Sequence, residues 1–211
     1  MFIIFVNCKV IYYICHMTYK EIENILNQYE DWDLTSISDD GRRNSQDSEQ
    51  NICKKINKRI GVKKFKTHNR EQFDLYMLNG EDLKILEPEN FTNTISFTKL
   101  AKMLNLKGNN NNTISKSYHK QKSLGEIKLI DDYHIVFLNK KNKKFKICSL
   151  TELPVNCITV NPSNGIQTKI PEYLVERNYT EKFNLVHNLF IEYINKRILH
   201  PAKEWEMNIN G

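Results

Sequence analysis

The sequence predicts an α/β (α+β) fold in which helices flank a mixed central β-sheet, and three observations carry that expectation. Apolar residues recur at helical spacing near both ends, at Ile22, Ile25, Leu26 and Tyr29 and again at Phe183, Val186, Leu189, Phe190, Tyr193 and Ile194. Between them lie short apolar runs bounded by turn residues, the signature of strands. The 211 residues suffice for one well-buried core and are short for two. A single domain over residues 17–211 is therefore expected. The run MFIIFVNCKVIYYICH is interrupted by Asn7 and Lys9, is too short to span a bilayer and lacks a basic leader, so residues 1–16 read as an over-extended N-terminus ahead of Met17, with a buried strand or a membrane-proximal segment as the alternatives.

The elements follow in order. Thr18 to Glu30 is an amphipathic helix. A polar loop, TSISDDGRRNSQDSEQ, leads into a second helix from about Asp47 to Arg59 that buries Ile52, Cys53 and Ile56. The stretch FDLYMLNGEDLKILEPENF forms a hairpin around Asn79-Gly80, a dipeptide suited to the positive φ angles of a tight turn, and this pairing sets Asp74 nearly opposite Ile85. Ser96 caps a third helix with Phe97, Leu100, Ala101 and Leu104 on one face and Gly108 as its stop. NNNNTISKSYHKQKS reads as a low-complexity connector, mobile until something binds. Strands are expected in EIKLI, YHIVFLN, KFKICSL, NCITV and GIQTKI, and a long helix from Thr180 closes the order.

Composition bounds the function classes. Lysine and arginine number 31 against 25 carboxylates, a net charge of +6 that favours a polyanionic partner without requiring one. The five cysteines, Cys8, Cys15, Cys53, Cys148 and Cys157, show neither paired spacing nor Cys/His ligand spacing. Disulfide frameworks and zinc knuckles are therefore not supported, and a reducing, cytoplasmic setting is expected. No phosphate-loop, dinucleotide, nucleophile-elbow or zinc-protease motif is present, so no nucleotide cofactor is expected.

Two constellations could carry chemistry. Asp74, Glu87 and Glu89 gather at the feet of the hairpin, where Glu87 and Glu89 share a face because the strand period is two. Mg²⁺ takes oxygen ligands and is commonly held by one or two carboxylates plus water and phosphate oxygens. Carboxylates at strand ends are also commonly just solvated. Arg42, Arg43, Asn44 and Gln46 are side chains that hydrogen-bond base edges and phosphates, although polar loops contain them too.

Three collinear segments resemble the type II restriction endonucleases with a PD-(D/E)-X-K nuclease core. GRRNSQDSEQNICKKINKRI resembles their polar loop and acid-bearing helix, with Glu49 as the acid. FDLYMLNGEDLKILEPENF followed by NTISFTKLAKML resembles the metal-binding hairpin and its helix, with Asp74 and Glu87 as the two acids. CITVNPSNGIQTKIPEYLVERNYTEKFNLVHNLFIEYINKRI resembles the closing strands and the C-terminal helix.

The resemblance implies a restriction-endonuclease-like core and Mg²⁺-dependent, site-specific cleavage of double-stranded DNA by activated water, with Mn²⁺ as a substitute and a homodimer acting on a palindrome. Asp74 and Glu87 would hold the metal. Glu89 would orient the water, in the position where the family usually has lysine. The triplet Asp82-Leu83-Lys84 restores that lysine but sits only eight residues after Asp74, so Lys84 and Glu49 rank second. DNA contacts are expected from Arg42, Arg43, Asn44, Gln46, Asn109, Lys116, Lys120 and Gln167. The alternatives are a non-catalytic basic nucleic-acid-binding module and an inactive nuclease relative.

Overall fold

In the computed structural model, residues 18–30, 32, 51–52, 55–56, 74–75 and 81–199 are described, and within the expected 17–211 domain the chain divides into two interleaved compact units. The first is Met1–Asn90 with His134–Cys148, and the second is Phe91–Tyr133 with Ser149–Gly211. The architecture is mixed α/β, with two small sheets and flanking helices. Among the described residues no helix is long and apolar enough to cross a membrane.

The first unit opens with α1 (Tyr19–Leu26), started by a capping box in which the Thr18 hydroxyl accepts from the Glu21 amide and Glu21 accepts from the Thr18 amide. Its sheet has the order β1-β2-β4-β5, from β1 (Asp74–Leu75), β2 (Glu81–Leu86), β4 (His134–Asn139) and β5 (Phe145–Ser149). β1 and β2 are antiparallel and β2 and β4 parallel, so the chain must leave and return between β2 and β4. Ile22, Leu26, Trp32, Ile52, Ile56, Leu83, Val136, Leu138, Phe145 and Ile147 make the core. β5 lies at the sheet edge, where unpaired backbone groups would be a liability. Two α1-side residues satisfy them. The Asn27 amide both donates to the Phe145 carbonyl (2.9 Å) and accepts from its amide (2.7 Å), while the buried Glu23 carboxylate accepts from the Ile147 amide at 2.7 Å.

In the second unit, β3 (Thr92–Ile95), β7 (Gly165–Thr168) and β6 (Ile158–Asn161) form an antiparallel sheet in the order β3-β7-β6. Ser96 caps α2 (Phe97–Met103) as expected, but the helix ends at Met103, earlier than Gly108. Asn178 caps the closing α4 (Tyr179–Ile194), whose Val186, Leu189, Phe190 and Tyr193 are buried. Phe97 stacks on Phe190 and Tyr193, with ring centroids 5.1 and 4.4 Å away, joining α2 to α4.

Two sequence expectations are corrected here. The connector is instead α3 (Asn111–Leu124): Asn110 forms a capping box with Thr113, Gly125 closes the helix at φ 68°, and Ile114 and Tyr118 are buried four residues apart. EIKLI forms no strand. Its backbone is satisfied elsewhere, Ile130 donating to the Met103 carbonyl at the end of α2 and Leu129 accepting from the Tyr179 hydroxyl.

Tyr118 also meets His187 of α4, hydroxyl to Nε2 at 3.3 Å, with Phe183 stacked on the same imidazole. Burial, and secondly the charge of Lys122, hold the His187 pKa below the ordinary histidine value. A histidine whose folded pKa is depressed adds stability that is complete above its unfolded pKa, and loses it as pH falls below that value. Acidification from about pH 7.5 to about pH 5 should therefore lower the urea midpoint less in His187→Leu than in the wild type. Parallel declines would remove His187 as a contributor.

Candidate active site

The register of the hairpin decides which carboxylates meet. β1 pairs with β2 through Asp74↔Asp82 and Leu75↔Glu81, not with Asp74 opposite Ile85. The expected Asn79-Gly80 turn itself lies outside the described residues, as do residues 76–80 as a whole. The observed pairing is displaced by three residues from the one that a two-residue turn would give. Because side chains alternate across a strand, an odd displacement exchanges the faces.

Leu83 is buried in the core of the first unit and Ile85 packs against it, which assigns the odd-numbered positions of β2 to the core face. Pairing Asp74 with Ile85 would set a carboxylate position on that apolar face, at the heavy cost of desolvating a charge. In the observed register the backbone of Asp74 is directly opposed to that of Asp82, and Lys84 follows Asp82 by two along β2. Opposed Cα atoms of an antiparallel pair stand about 4.5–5.5 Å apart. Lys84 is half-buried, and its backbone partner on β4 is Phe137, which is fully buried.

Glu87 and Glu89 fall elsewhere. β2 ends at Leu86, and Glu87 begins a turn closed by the Asn90 amide donating to its carbonyl. Five residues of extended chain set Glu87 about 16 Å beyond Asp82. Glu89 accepts from Lys141 Nζ at 2.7 Å, both side chains more than half exposed. The hydrogen bond from Lys141 is the chief reason that the Glu89 pKa lies below the ordinary carboxylate value, and the same bond raises that of Lys141. Glu89 is thus a solvated, paired carboxylate.

The donor set of Asp74 and Asp82 fits a hard divalent cation that takes two protein carboxylates and completes its shell with water and phosphate oxygens. Among the described residues no cluster of three or more His, Cys, Asp or Glu gathers in metal-binding proximity.

The other sequence candidates are dispersed. Arg42, Arg43, Asn44, Gln46 and Glu49 lie outside the described residues. Asn109 precedes α3, its amide donating to the Thr113 hydroxyl, and Lys116 and Lys120 are exposed on α3. Gln167 on β7 donates through Nε2 to Asn93 Oδ1 of β3 at 2.8 Å. Sequence reasoning did not find Asn93 or Lys141. Neither belongs to a local motif; each is met only across a sheet or a turn.

No protein-family model matches the chain, and neither a curated protein nor a solved structure matches it.

Proposed function

We propose that the chain is a Mg²⁺-dependent, site-specific deoxyribonuclease of the type II restriction kind, with its centre at Asp74, Asp82 and Lys84 rather than at Asp74, Glu87 and Glu89. The observation that carries this reading is the β1–β2 register, which opposes Asp74 to Asp82, two residues before Lys84. Two acids with a lysine two residues after the second, D-X-K, form the pattern of the PD-(D/E)-X-K nucleases that the sequence resembles. The parallel pairing of β2 with β4 adds support, because it sets the carrier strand inside a sheet, between β1 and β4.

Asp74 and Asp82 would hold the ion. When bound, Mg²⁺ offsets charge developing on the scissile phosphate and acidifies water. The Lys84 ammonium donates to the attacking water and to a phosphate oxygen, supplying the positive charge that Glu89 lacks. A palindromic target would be cut by a two-fold pair of chains, one centre to each strand.

Digestion of phage DNA with Mg²⁺, followed by run-off sequencing of the ends, tests the reading. Discrete fragments whose ends share one short symmetric sequence, absent with Ca²⁺ or chelator, are expected. Failure to cut any complex DNA with Mg²⁺ or Mn²⁺ would leave the non-catalytic binding module as the better account.

A further inference from the structure

Residues 50–70 carry eight cations without a carboxylate, and a second carboxylate-free stretch lies in the second unit, where residues 91–125 hold six lysines. Much of that segment is α3. Its inward side is fixed by Ile114 and Tyr118, and Gln121 Nε2 donates to the Asn105 carbonyl. The helical period of 100° per residue therefore turns Asn112, Lys116, His119, Lys120 and Ser123 outward, and all five are exposed. Lys20, Lys141, Lys182 and Lys196 each pair with a carboxylate, whereas among the described residues no ion pair involves Lys116 or Lys120. The next carboxylate in the chain, Glu126, comes after the Gly125 cap.

We propose that this outward face of α3 binds the sugar-phosphate backbone of duplex nucleic acid, irrespective of sequence. The lysines follow each other at four residues, about 6 Å along the helix axis, a length over which one DNA strand presents about two phosphates. Asn112 and Ser123 add neutral donors of the kind that position a protein on phosphate. An anionic membrane is the poorer partner, because an interfacial helix must free an apolar face, and that of α3 is already consumed by the interior. The site belongs to the second unit and stands independently of the centre at Asp74, although it rests on the proposed function for its biological use.

The test measures anisotropy of a short mixed-sequence DNA duplex with the full chain in Ca²⁺, across roughly 50 to 200 mM salt. Lys116→Gln with Lys120→Gln should reduce the slope of log K against log salt by about 1.8 and weaken binding at about 0.1 M salt roughly 60-fold, equally for unrelated sequences. Lys140→Gln with Lys143→Gln, which removes the same charge from exposed positions between β4 and β5, should change both much less. Equal losses in the two pairs would overturn the proposal, as would an unchanged slope or preferential binding to phosphatidylglycerol vesicles. A protein that binds through α3 but never cuts sustains this inference and sinks the nuclease reading. One that cuts, with the α3 variant binding normally, does the reverse.

Discussion

Asp82→Asn should lower the single-turnover rate of Mg²⁺-dependent plasmid cleavage by about a thousandfold or more, and Glu87→Gln and Glu89→Gln should each leave it within about threefold. The contrast follows from the register. Asp82 stands opposite Asp74, so its loss would remove one of two carboxylates from the cation site, whereas Glu87 lies beyond β2 and Glu89 is occupied by Lys141. Asp74→Asn should match Asp82→Asn. Lys84→Ala should cost about a hundredfold to a thousandfold, the usual effect of removing a single donor to developing charge. Binding measured in Ca²⁺ should survive in all of these, separating loss of chemistry from loss of DNA. Active Asp82→Asn with dead Glu87→Gln would instead restore the pairing of Asp74 with Ile85, and with it a different hairpin.

That hairpin shows where sequence reasoning succeeds and where it stops. Helices α1, α2 and α4 announce themselves through Thr18, Ser96 and Asn178, side chains whose capping role is local and needs no tertiary information. The register of β1 on β2 is not local. Asn79-Gly80 is a strong turn signal for opposing Asp74 to Ile85, whereas the observed pairing opposes Asp74 to Asp82, a register that depends on contacts distant in sequence. The signals for α3 were all present in Asn110, Thr113, Ile114, Tyr118 and Gly125, but the surrounding run of asparagine, lysine and serine masked a helix with only two fully buried residues. Ile127 to Ile130 failed for the opposite reason. Its β-like pattern is real, but the partners of its backbone are the end of α2 and Tyr179, which sequence spacing cannot reveal.

Gly165→Ala should destabilise the chain by about 3 kcal/mol or more, while Gly125→Ala should cost only about 1 kcal/mol, as read from urea midpoints at constant m. Both glycines have positive φ, 106° and 68°, so both substitutions carry the strain of a conformation that side chains disfavour. Space separates them. Beyond Gly125 nothing lies within 4 Å of the added Cβ, but at Gly165 it would stand 2.3 Å from the Ile95 carbonyl oxygen and 3.1 Å from Ser96 Cα. Those neighbours are backbone and cannot rotate aside. Relief would require β7 to withdraw from β3 at the point where Ile166 pairs with Ile95 and where Ser96 begins α2. The buried bond between the Thr94 and Thr168 hydroxyls, at 2.6 Å, would open in the same movement and leave two polar groups unsatisfied. Equal destabilisation at the two glycines would show that β7 does not approach β3 this closely. A deficit confined to Gly165 would locate the cost in the clash rather than in φ.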